Sequence, residues 1–163
     1  RHAVNFEGNY LFRTLYARPS DEPIAYPPMP HAIFSSPQVG SVGPTEEALI
    51  ERGVDYVVGK NSYADSAMGM ALRSEFGFAK LLFERRSRKL LAAHIVGDDA
   101  ATLVHQLIYA LTFDATRENL LEMIYIHPAL PEVIRNAAIN ADFSKPSPQG
   151  GPSDWSPVKA HTT

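Results

Sequence analysis

Cysteine is absent from the 163-residue chain. No disulfide, thiolate nucleophile or thiolate metal site can therefore be built from its own residues. Long apolar runs are missing too: none approaches the roughly 20 residues that a helix needs to cross a bilayer, and the start lacks the apolar core of a signal peptide. The net charge is only −3 with no basic stripe, which argues against a general nucleic-acid surface. No glycine-rich phosphate loop follows a strand-like segment, so no nucleotide site is legible. What is present is ordinary for a globular chain, 45% apolar and 20% charged, and the length suits one domain with a core of its own. The expectation is a soluble cytoplasmic protein that neither enters a membrane nor binds nucleic acid.

One stretch organises the rest: Ile126-His127-Pro128-Ala129-Leu130-Pro131-Glu132. Pro131 suits a first helical turn, where its missing N–H costs nothing and its φ already fits. Glu132 then falls where the positive end of the helix dipole favours a carboxylate. His127 precedes a proline, so its backbone is held extended. An imidazole on a stiff loop with a carboxylate one helix start away suits a histidine oriented by an acid. The same residues also describe a plain proline-punctuated helix start with a surface histidine.

The other segments fall around it. Residues 1–17 read as a helix without a start signal, with Val4, Leu11, Phe12 and Leu15 on one face, as though cut from something longer. Five prolines between Arg18 and Pro30 make a stiff connector. A strand is predicted at 31–36 and extended by 39–42. Thr45 is placed to cap a short helix ending at Gly53, a second strand spans 54–62, and a short helix covers 65–74. Segments 78–84 and 89–96 form a hairpin. Asp98 is read as the cap of a helix to about 113, with Ala100, Leu103, Val104, Leu107, Ile108 and Leu111 as its apolar stripe. Thr116 caps another helix that turns Leu120, Leu121 and Ile124 inward, and a last helix runs from Pro131 to about Asp142. Residues 143–163, rich in proline, glycine and serine, read as a disordered tail carrying the single Trp155.

These elements predict an α+β fold, an antiparallel sheet of about four or five strands packed against helices. The arginines at 85–88 are read as a solvated hairpin tip, with an anion site as the alternative. His2, His31, His94, His105 and His161 are too scattered for a metal site, so none is expected.

Four motifs in order carry a resemblance: Pro30 to Glu47, Phe78 to Leu82, Ala93 to Gly97, and His127-Pro128 with Glu132. Over about residues 26–142 the chain resembles the C-terminal dimerisation domain of the flavin-dependent pyridine nucleotide–disulfide oxidoreductases. Residues 126–133 and 63–69 are most similar to the mycothione reductase branch. Residues 2–8 resemble the end of the family's FAD domain. The organisation this implies is an FAD-domain remnant at 1–17, a linker at 18–25, the dimerisation domain at 26–142 and the tail at 143–163. Pro44 and Ala92 depart from the family pattern without touching any implied role.

The resemblance implies a homodimer in which His127 reaches the partner subunit's flavin and redox cysteines as acid–base catalyst and cofactor-contacting residue, with Glu132 as its orienter. It also implies a cis His127–Pro128 peptide. FAD, NAD(P)H and a disulfide substrate would belong to a longer parent enzyme, whose redox cysteines and dinucleotide sites lie in segments this sequence does not contain. The fragment alone is expected to bind no cofactor and catalyse nothing. The alternative is a stand-alone homodimeric interaction module, against which the broken start at Arg1 speaks.

Overall fold

The computed structural model describes residues 2–148, His2 through its backbone only. Helix α1 (His2–Phe12) opens the chain and continues through Arg13–Ala17 with wider, π-helical winding. Its Val4, Leu11, Phe12 and Leu15 point to solvent, while the opposite side folds back on the connector through the Phe6–Tyr26 ring pair and a Tyr26 to Glu7 hydrogen bond of 2.8 Å.

Five strands make one antiparallel sheet: β1 (Pro30–Ile33), β2 (Gln38–Val42), β3 (Tyr56–Ser62), β4 (Phe78–Glu84) and β5 (Leu90–Gly97), in the order β1-β2-β5-β4-β3. The α+β expectation holds. Residues 39–42 do not extend the first strand, however. The chain reverses at 34–37, and β2 pairs back on β1 with His31 opposite Ser41. Pro30 is tolerated because β1 is an edge strand.

Alternation along the strands sends side chains to two faces. On one, Val42, Val57, Leu81, Phe83, Ala93 and Ile95 meet α4 (Ala100–Thr112) and α6 (Glu132–Ile139) in the main core. On the other, Tyr56, Leu82 and Ala92 pack under Leu49 of α2 (Glu46–Glu51). Thr45 caps α2 as expected, its hydroxyl accepting from Ala48 N–H at 3.3 Å. Gly59 lets α6 lie directly on β3: a Cβ there would stand 2.2 Å from the Ala137 carbonyl oxygen. Tyr63 is fully buried against Gly97, whose φ of +145° no side chain favours, and its hydroxyl donates to Asp98 O at 2.8 Å.

Several boundaries differ from the sequence reading for local reasons. The cap of α4 is Asp99, in a left-handed conformation and without a side-chain bond, rather than Asp98. The helix expected over 65–74 is a short turn at 63–65 followed by α3 (Ala67–Ala71), capped by Ser66. Helix α5 (Arg117–Glu122) closes its start with a Thr116–Asn119 capping box but stops before Ile124, which is 99% exposed instead of turned inward. Helix α6 ends at Ile139, short of Asp142.

Residues 143–148, expected to begin a disordered tail, lie against the hairpin tip and β3. The Phe143 ring packs on Phe83 and between Arg88 and Arg117. Ser147 Oγ donates to the Asp55 carboxylate and accepts from Tyr56 N–H at 3.2 Å. Trp155 and the rest of that tail lie outside the described residues.

Candidate functional site

Because α5 ends early, Met123 turns extended and the backbone runs outward to His127. Tyr125 pins this run, donating its hydroxyl to Leu120 O at 3.0 Å. The His127–Pro128 peptide is cis, as expected. Leu130 then plugs into the main core, and Pro131, with φ −54°, leads into α6. Glu132 is the first residue of that helix.

The two sequence-chosen side chains meet here. His127 Nδ1 lies 2.9 Å from Glu132 Oε1. A carboxylate can only accept, so Nδ1 carries the proton and Nε2 is left as the free ring nitrogen. The exposures are unequal: the His127 side chain is 69% exposed and that of Glu132 16%. The acid is thus held in the protein surface while the imidazole projects away from its own domain. Glu132 Oε2 also accepts from Ala129 N–H at 3.0 Å. The Ala129 bond first, and the His127 bond second, hold the Glu132 carboxyl below the usual carboxylate range. It is therefore an anion at neutral pH, able to accept the Nδ1–H of the ring. The arrangement can accept or deliver a proton at Nε2 and return to the same tautomer.

Several other charged groups have structural partners. Arg85 pairs with Asp55 at 2.8 Å and donates to Phe143 O at 2.8 Å, while Arg88 pairs with Glu118 at 2.7 Å. The solvated-tip reading of 85–88 therefore needs amendment, since two of its arginines fasten neighbouring segments. His94 donates from Nε2 to Pro44 O at 3.2 Å, and burial, then the nearby Lys80 charge, pushes its pKa down. It is a neutral structural histidine. Beneath α2, Glu46 is 4% exposed and accepts from Lys80 at 2.8 Å and from the Tyr56 hydroxyl at 3.1 Å. Burial, followed by the Glu46 charge, pushes the Tyr56 phenol up to about 12. His105 bonds back to its own helix at Ala101 O, and His31 is exposed on β1. No cluster of potential metal ligands occurs among the described residues, and no helix there could cross a membrane.

Sequence reasoning missed the Ala129 amide. A partial signal was present, because a Glu three residues after a helix-start residue reaches back to that residue's N–H.

Comparison with known proteins places this geometry in context. The family profile described as "Pyridine nucleotide-disulphide oxidoreductase, dimerisation domain" matches residues 29–138. Dihydrolipoyl dehydrogenase of Chlorobaculum parvum is 38% identical over 124 residues, covering 76% of this chain and 26% of that protein. Mycothione reductase of Mycobacterium tuberculosis is 42% identical over 112 residues, covering 68% and 24%. The chain thus spans about a quarter of the length of the curated relatives it matches. Among solved structures, the Cu(II) complex of the HOCl-induced flavoprotein disulfide reductase RclA from Escherichia coli superposes with a TM-score of 0.75 at 18% identity, over 83% of this chain and 31% of that one. LpdA of Mycobacterium tuberculosis gives 0.73 at 18% identity, over 82% and 29%. At such identities these two establish the shared fold.

Proposed function

Because the chain belongs to the pyridine nucleotide–disulphide oxidoreductase family through its dimerisation domain, we propose that it serves a parent FAD-dependent NAD(P)H:disulfide oxidoreductase by lending His127 and Glu132 to the partner subunit's redox-disulfide site. The observation that carries this reading is the projecting imidazole, held by a carboxylate at 2.9 Å with Nε2 free of any hydrogen bond among the described residues. The exposed ring and its free Nε2 leave it able to reach a group outside its own domain. In the homodimer proposed here, Tyr109 on α4 and Phe113 just beyond it, with Ile124 and Ile126 on the run to His127, supply exposed apolar surface for the contact. A specific contact of this kind buries roughly 1,200–2,000 Å².

Flavin and nicotinamide would be held by other segments of the parent, since this sequence has neither dinucleotide fingerprint nor cysteine. When bound, the flavin passes an electron pair between nicotinamide and disulfide. His127 would move the protons of the thiol half of that reaction. Its Nε2 accepts a proton from an attacking thiol, whose free pKa is about 8.5, and delivers one to the departing thiolate. Glu132 keeps Nδ1 protonated and steadies the imidazolium between the two transfers. The domain alone turns nothing over in this reading. The tail and the FAD-domain remnant are parts of the same proposal, as are a cytoplasmic location and the absence of nucleic-acid or membrane partners.

The test separates the two half-reactions in the full-length enzyme. His127→Ala should slow disulfide turnover about 10²–10⁴-fold, the worth of a positioned acid–base group, and leave flavin reduction by the nicotinamide unchanged. A disulfide half-reaction at wild-type speed would overturn the proposal.

A further inference from the structure

The start of α6 is closed in an unusual way. Its cap position holds Pro131, which offers no side-chain bond. The chain turns three residues earlier, with Glu132 N–H donating to Ala129 O at 3.2 Å and Val133 N–H to Leu130 O at 3.0 Å. Across that turn Glu132 Oε2 reaches back to Ala129 N–H at 3.0 Å. This is the acidic half of a capping box, in which a carboxylate satisfies the N–H three residues before it. The reciprocal half needs a hydroxyl, and Ala129 has none.

One carboxylate therefore has two tasks. Oε2 closes the helix start and Oε1 holds the imidazole at 2.9 Å. Two bonds to opposite oxygens fix the carboxylate plane, which a single bond to a solvent-exposed ring would leave free to rotate. Leu130, buried in the main core, and the helix itself fix where the Ala129 N–H stands. We propose that the backbone N–H of Ala129 is the positioning group of the dyad: it clamps Glu132, and through Glu132 sets the tautomer and direction of His127. This deepens the reading of the same site given above. It also couples the ring to the helix start, so that loosening one loosens the other.

Ring and carboxyl NMR of this chain alone tests the clamp without flavin, cysteines or turnover. Ala129 is replaced by lactate through nonsense suppression, converting the amide to an ester that lacks only the N–H. The expected result is a Glu132 carboxyl midpoint moved up toward the ordinary range, with the Nδ1–H tautomer of His127 falling from dominant to mixed. Amide shifts of the sheet should stay in place. Unchanged Glu132 and His127 signals in a folded ester would overturn the proposal. If the ester does not fold, Glu132→Asp keeps the charge but is one methylene too short to span both partners. Loss of the tautomer signature together with the pH response at the Ala129 amide supports the clamp, and any outcome in which one is kept without the other, or both are kept, overturns it. Because turnover is not read, failure here leaves the His127→Ala experiment to judge the catalytic reading separately.

Discussion

Replacing Gly59 by alanine tests the contact that seats α6, and hence the platform of Glu132. The added Cβ would stand 2.2 Å from the Ala137 carbonyl oxygen and 3.0 Å from the Ala141 Cβ. The oxygen belongs to helix backbone and cannot swing aside as a flexible side chain would. A separation of at least 3.0 Å is needed, so α6 must retreat from β3 by about 0.8 Å or the strand must bow. Overpacking of this kind costs about 1–3 kcal/mol. Replacing a strand glycine returns roughly 0.5–1 kcal/mol of backbone entropy. At the middle of these ranges the net loss is about 1 kcal/mol. For a chain of this length it lowers the melting temperature by roughly 2–4 °C. Urea unfolding followed by circular dichroism measures it, with Gly8→Ala as the control. Gly8 sits in α1 with nothing within 4 Å of a Cβ, so that change should hold or raise stability. An unchanged or raised midpoint for Gly59→Ala would refute the close seating of α6 on β3.

Three further outcomes are expected. Arg85→Ala removes a charge-assisted pair and the bond to Phe143 O, costing about 1–2 kcal/mol, and hydrogen exchange should show the amides near 143–148 losing protection. Ala129→Thr supplies the missing hydroxyl of the capping box and should stabilise the fold by about 0.5–1.5 kcal/mol in thermal melts. The carboxyls of Glu132, held by Ala129 N–H and then His127, of Asp55, held by the Ser147 hydroxyl and then Arg85, and of Asp142, held by Ser144, all lie below their ordinary values. Folded-state values below the unfolded ones give stability that is present above the ordinary carboxylate range and lost as pH falls through the folded values. The melting temperature should therefore hold near neutral pH and drop below about pH 4, and a flat profile to about pH 3 would contradict these bonds.

Periodic segments were legible in the sequence and handovers between them were not. The α4 stripe is regular from Ala100 to Leu107, and its residues are buried. Ile124 was misjudged because helical spacing was carried past Glu122, where the backbone had already turned extended. The cap was misread by one residue because Asp99 adopts a left-handed conformation that composition does not announce. The 143–148 segment looks unstructured locally, and its anchors, Arg85, Asp55 and Arg117, are distant in sequence. At the site, the proline-bounded spacing of His127 and Glu132 was enough to pair them. The amide that holds the carboxylate was hidden, because every residue but proline has one and only the fold says which are used.

The sheet has two edges, and each carries a partial obstacle to further pairing. On β1 the edge opens with Pro30, which has no hydrogen to offer a further strand. On β3 the Tyr56 N–H is taken by Ser147, its carbonyl accepts from Arg85 at 3.3 Å, and the Lys60 carbonyl accepts from Asn140 at 2.9 Å. Two copies of this chain would therefore meet interruptions along either edge if one sheet were to continue into the other. Such interruptions disfavour the edge-to-edge growth by which sheet proteins form fibres.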